Sequence, residues 1–101
     1  MVRGAMYGLI VKMTVAAGRR EEAIALLRES SAVMPGCVSY VIARDAASAD
    51  VLWVTEVWES EAAHDGSLTL RAVQSVIPRL RPLVAQCEKI AVTEPVAGAA
   101  S

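Results

Sequence analysis

Metal-ligating side chains are scarce in this sequence. One histidine and two cysteines stand among 101 residues. There is no CxxC, no CxxCH and no second histidine, which argues against a zinc or iron centre made from protein side chains alone. Glycines occur singly, never in a GxGxxG or P-loop setting, so nucleotide- and phosphate-loop chemistry has no motif to rest on. Ten Lys and Arg face eleven Asp and Glu, and a general nucleic-acid binder carries a basic surplus that this chain lacks. No apolar run approaches the ~18 residues of a membrane-spanning helix. The longest stretches, around Leu9 to Val11 and Val51 to Val54, are cut by Lys12, Thr14, Thr55 and Glu56. Met1 to Met6, with its single Arg3, has no apolar core of signal length. Together these absences predict a cytoplasmic protein without nucleic-acid or membrane partners, in which Cys37 and Cys87 are reduced, buried thiols.

What the chain does have is apolar mass. It is 54% hydrophobic, too rich for disorder, and long enough for one domain but not for two with separate cores. A small domain has much surface, so this excess predicts that a partner covers part of it.

Period-two alternation marks Tyr7 to Val15 as a strand, with Tyr7, Leu9, Val11, Met13 and Val15 on one face and Gly8, Ile10, Lys12 and Thr14 on the other. Arg19 to about Val33 has helical spacing. Glu21 and Glu22 lie in the first turn, where the helix dipole favours them; Ala23, Ile24, Leu27 and Met34 form the apolar stripe, and Pro35-Gly36 is the stop. Cys37 to Arg44 and Val51 to Trp58 are two further strands around a small-residue hairpin. Ser60 is a helix N-cap, Gly66 weakens the helix it starts, and a second helical stretch runs from Leu70 to Ile77. Pro78 and Pro82 bound an irregular segment before a last strand, Cys87 to Thr93. The predicted organisation is an N-terminal extension (1–6), one α+β domain (7–94) and a flexible tail (95–101).

The order βαββαβ is the ferredoxin-like arrangement, an antiparallel sheet with helices on one face. Both faces of the first three strands are largely apolar, and the helices cover only one. A second copy of the same chain is the simplest cover for the other, so the pattern predicts a symmetric homodimer with sheets packed face to face.

Several residues carry candidate chemistry. His64 is the one side chain that ordinarily titrates near neutrality; it is either a proton acceptor or a solvent-facing helical residue. Glu56 shares a strand face with Leu52, Val54 and Trp58. A carboxylate there must be paired or desolvated, with Arg71 or an arginine of a second subunit as candidate counter-ion, and it serves either as general base or as half of a structural ion pair. Tyr7 and Tyr40 suit the core with their hydroxyls at its rim, and Met6, Met13 and Met34 suit gap filling. Cys37 and Cys87 open strands at opposite edges of the expected sheet, which disfavours a disulfide.

Pro35-Gly36-Cys37-Val38-Ser39-Tyr40, followed after a hairpin by Glu56-Val57-Trp58-Glu59-Ser60-Glu61-Ala62, resembles the antibiotic biosynthesis monooxygenases, a family of dimeric α+β barrels. The resemblance runs from about Tyr7 to Thr93. It implies oxygenation of a small aromatic such as a quinol, an anthrone or a polyketide, with O2 as co-substrate and no flavin, haem or metal cofactor, the deprotonated substrate supplying the electrons. It implies that Trp58 lines the substrate pocket with Leu52, Val54 and Leu70, that His64 stands where polyketide-oxygenating members have a tyrosine, and that Arg71 matches their helical arginine. Val54 replaces an asparagine of those members. Haem-degrading relatives need an asparagine on the first strand, where this chain has Val11, and a later histidine, and none follows His64. The alternative on the same scaffold is a non-catalytic dimeric binding or scaffold protein.

Overall fold

The structure is a computed structural model that describes residues 5–98; residues 1–4 and 99–101 of the expected terminal segments lie outside it. Four strands, β1 (Tyr7–Val15), β2 (Cys37–Arg44), β3 (Val51–Trp58) and β4 (Val84–Thr93), alternate with α1 (Arg20–Ser30), α2 (Glu61–Ser67) and α3 (Arg71–Leu80) in the order βαββααβ. The sheet order is β2-β3-β1-β4 and every pairing is antiparallel. This is the ferredoxin-like α+β fold, its second helical element split in two. No helix of the described residues is long and apolar enough to cross a membrane.

One face of the sheet holds the core. Met13 and Val15 of β1, Leu52 and Val54 of β3, Ala23, Leu26 and Leu27 of α1, and Val76 of α3 are buried together. The other face has no helix over it and carries Ile10, Val41, Trp53 and Val57. Val41 there is 52% exposed. Trp53 donates its indole N–H to Asp45 at 2.8 Å and takes the Lys12 ammonium 5.9 Å above its ring. That hydrogen bond, with the backbone N–H groups of Ser48 and Ala47, holds the Asp45 carboxyl down at about 2 and ties the hairpin to the open face.

Three boundaries differ from the sequence expectation. Helix α1 ends at Ser30, short of Val33. The Ser30 and Ser31 hydroxyls turn back onto the carbonyls of Leu27 and Arg28, an alternative to helical propagation that serine side chains offer. Met34 therefore sits in the following loop and not on the stripe of α1. Pro78 does not end the second helical stretch but lies inside α3. It forfeits one backbone bond, while Ile77 and Leu80 on either side keep the last turn against the domain. Strand β4 begins at Val84, ahead of Cys87, because Val15 extends β1 far enough to pair with it.

Gly36 closes the α1–β2 connection with φ +82°, and a Cβ there would stand 2.7 Å from the Cβ of Ala63. Only glycine satisfies both the left-handed turn and the close approach of α2 to the end of β2.

Candidate functional site

Between the sheet's core face and the helices lies a cavity of about 330 Å3, within the usual size of small-ligand sites. Its walls are apolar: Val11, Met13 and Val54 from the sheet, Leu27 from α1, Val76 and Ile77 from α3. Its polar groups are few: Ser30, Tyr40, Glu56, His64, Ser67 and Cys87.

Strand alternation explains the centre of this set. Residues 52, 54, 56 and 58 of β3 point to the core face, and among them Glu56 is only 9% exposed. Its Oε1 accepts a hydrogen bond from the indole Nε1 of Trp58 at 2.9 Å. Trp58 is 0% exposed, so its ring is fixed by packing and holds the donor in place. Burial pushes the Glu56 carboxyl above the ordinary carboxylate range; the Trp58 hydrogen bond and, when its ring is protonated, the nearby His64 pull the other way without cancelling it. Within the chain the expected pairing with Arg71 is corrected: the neutral Trp58 indole, and not Arg71, meets Glu56.

His64 lies in α2, whose N-cap Ser60 accepts the backbone N–H of Ala63 at 3.1 Å. Its side chain is 16% exposed, with Nδ1 3.1 Å from Oδ1 of Asp65. In a neutral ring that contact favours the Nδ1–H tautomer. The ring packs between Tyr7, centroids 5.3 Å apart, and the edge of Trp58, at 5.5 Å.

The structure thus brings Glu56, His64 and Val54 to the cavity. Trp58 and Leu52 are wholly buried and lie outside its lining; Trp58 reaches the cavity through Glu56 and His64 and is not the flat wall itself. Leu70 lines a separate small cleft with Pro35, Ala63, Gly66 and Ser67. Arg71 is exposed at the start of α3 and is not among the lining residues. Lining residues that the sequence reading left aside are Tyr40, Cys87 and the serines. Tyr40 is the register partner of Glu56 across β2 and β3, a neighbour that strand parity and sheet order together reveal. Cys87 faces Met13 across β4 and β1. Both cysteines are free thiols, but their expected burial is corrected: on opposite edge strands, covered from one side only, Cys37 is half-buried and Cys87 exposed. Among the described residues no cluster of His, Cys, Asp and Glu could hold a metal ion.

Residues 6–79 match the family model described as antibiotic biosynthesis monooxygenase. The chain belongs to that family. A family protein of Chloroflexus aurantiacus, which carries the monooxygenase name provisionally, is 46% identical, with a TM-score of 0.91 over 94% of this chain and 97% of that one. SnoaB of Streptomyces nogalater, described as a cofactor-independent oxygenase, shares the fold at 17% identity, with a TM-score of 0.78 over 94% of this chain and 97% of its own. A Nitrosomonas europaea protein, also provisionally named for the family, shares it at 15% identity, with a TM-score of 0.84 over 95% of each chain. No curated protein matches the chain.

The raised Glu56 carboxyl sets a pH dependence of stability. A group whose pKa is higher folded than unfolded binds more protons in the folded state. Its contribution is complete below the unfolded value and is lost as pH rises through the folded value. Between about pH 4 and pH 7, wild type should therefore lose stability relative to Glu56→Gln, whose amide does not titrate. Paired thermal melts across that range measure the difference, and a constant offset would show that Glu56 ionises as an ordinary carboxylate.

Proposed function

We propose that this family member is a cofactor-independent monooxygenase acting on an uncharged aromatic with an acidic phenolic, enolic or benzylic position, such as a quinol or an anthrone. The observation that carries the reading is a desolvated carboxylate, anchored by a buried indole, facing an apolar cavity of about 330 Å3. A carboxylate with a raised pKa is a stronger base than one in water, and the apolar walls strengthen its action on a proton donor bound against them.

Glu56 takes the substrate proton. The resulting electron-rich anion reduces O2 directly and combines with it to give a peroxide at the reacting carbon. In an anthrone that carbon is a CH2; loss of water from the peroxide leaves a carbonyl, so one oxygen atom enters the product and the other leaves as water. All four electrons come from the substrate, and no external reductant enters the balance. Protonated Glu56 returns its proton to the departing oxygen, and Nε2 of His64 relays protons at the same end of the cavity. Trp58 positions Glu56. The apolar walls exclude water and hold the ring system by burial. Val54, in place of the family asparagine, and the exposed Arg71 favour a second reading, a binding protein that retains the cavity but not the reaction.

The working unit in this reading is a homodimer, in which the sheet face bearing Ile10, Val41, Trp53 and Val57 is covered by its counterpart. The exposed Val41, in line with the half-buried Ile10, Trp53 and Val57 on a face without helices, supports it. Sedimentation equilibrium at micromolar concentration should give the mass of two chains for wild type and of one for Val41→Glu; a single-chain mass for wild type would refute the dimer.

Oxygen uptake with anthrone in chelator-treated buffer should exceed the uncatalysed rate. Glu56→Gln and His64→Ala should each slow it by roughly 10²-fold, the low end for acid–base assistance, and Arg71→Ala should leave it unchanged. Uptake at background rate with anthrone stabilising the fold would favour the binding protein.

A further inference from the structure

Resting on the proposed function, we infer that Tyr40 is a further catalytic residue: its phenol donates a hydrogen bond to the substrate oxygen as Glu56 removes the proton. Most donors around the cavity are already committed. Ser30 donates its hydroxyl to the Leu27 carbonyl at 3.0 Å, and Ser67 donates to the His64 carbonyl at 2.6 Å. The Trp58 indole N–H is used on Glu56, and Nδ1 of His64 meets Asp65. Cys87 offers only a thiol, a weak donor. No lysine or arginine lines the cavity.

Tyr40 is the exception. It lines the cavity and stands opposite Glu56 in the β2–β3 register, where side chains of an antiparallel pair lie close together on one face. Its hydroxyl bonds to no described residue. It is also not a sealed orphan, since Nε of Arg20 is the one buried polar side-chain atom without a partner among the described residues. The phenol oxygen therefore keeps accessible surface, on a side chain that lines the cavity. Burial, and secondarily the Glu56 charge, push its ionisation well above the ordinary tyrosine value, so it remains a neutral donor throughout the chemistry.

The step balances without a further reactant. In a hydroxyarene the substrate O–H breaks, in an anthrone the C–H; the proton forms an O–H bond on the Glu56 carboxylate, and the electron pair, left on the substrate oxygen or delocalised onto it as an enolate, accepts the Tyr40 hydrogen bond. A donor aimed at developing negative charge between apolar walls is a strong form of transition-state stabilisation. The same arrangement narrows the substrate class. With a carboxylate and no cation in the cavity, a ring system bearing a carboxylate or phosphate would bury an unpaired charge beside Glu56. The preferred ligand is an uncharged hydroxyarene of two or three rings.

The test uses 4-nitro-1-naphthol, whose visible absorption reports its own ionisation, and 1-nitronaphthalene, which lacks the hydroxyl. In Tyr40→Phe, checked for an unchanged thermal melt, ionisation of the bound naphthol should become roughly tenfold less favourable, as expected for losing a hydrogen bond to a charged oxygen. Affinity for 1-nitronaphthalene should stay within about twofold of wild type, because its contacts are apolar. Unchanged ionisation of the bound naphthol in Tyr40→Phe would overturn the role of Tyr40 and leave the proposed function standing. Equal loss of affinity for both probes would likewise overturn it, assigning Tyr40 to packing. Failure of wild type to bind either probe would remove the proposed function and this inference together.

Discussion

The hydrogen bond from the Trp58 indole to Glu56 governs the polar end of the cavity. The two residues lie two apart on β3, so strand geometry alone puts both on the core face. Trp58 is fully buried and has no room to turn, so the carboxylate it holds is fixed as well. A carboxylate in such surroundings usually takes a cation; here it takes a neutral donor, which orients it without cancelling its charge. That difference separates a structural ion pair, with its carboxyl pulled down, from the raised carboxyl of Glu56. The His64 ring rests on the same indole edge, so one rigid side chain positions both groups to which proton transfer is assigned.

The fold supplies this arrangement by dividing its sheet into two unlike faces. The helices seal one face but leave a cavity between α1, α3 and the central strands. The opposite face keeps its apolar residues without helical cover, and its polar exceptions are internally matched: Lys12 lies over Trp53, and Trp53 is bonded to Asp45. Pairing of such faces in the proposed dimer would leave the cavities on the outside of a two-sheet sandwich, one per chain, each complete in its own residues.

The strands were legible in the sequence because alternation is local: β1, β2 and β3 follow directly from period-two patterns that no tertiary contact had to override. The misplaced boundaries are those where distant groups decide. Serine hydroxyls at 30 and 31 turn back on α1, apolar burial carries α3 across Pro78, and pairing with Val15 draws β4 forward to Val84. At the site, Glu56 stood out as a charge on an apolar face, and its burial follows from that face. Its partner did not, because a long-range ion pair with Arg71 and a local bond to Trp58 satisfy the same pattern equally well. Trp58 read as a cavity wall because an aromatic plane suits a planar ligand; the size of its ring instead placed it in the core. Tyr40 passed as a core residue because its role depends on the β2–β3 register and on which neighbouring donors are already taken.

Burial raises the basicity of the carboxylate that starts the reaction, and the buried indole holds that carboxylate in place and moderates the rise. The most direct measurement is the pH profile of kcat/KM for oxygen uptake in wild type and Trp58→Phe, alongside the Glu56 carboxyl titration followed by carbon NMR in each. Loss of the indole donor leaves the charged carboxylate less stabilised. The acid limb of the profile should therefore move to higher pH in the variant, in step with the Glu56 titration. An acid limb that stays in place while the carboxyl titration moves would contradict the assignment of Glu56 as the proton acceptor.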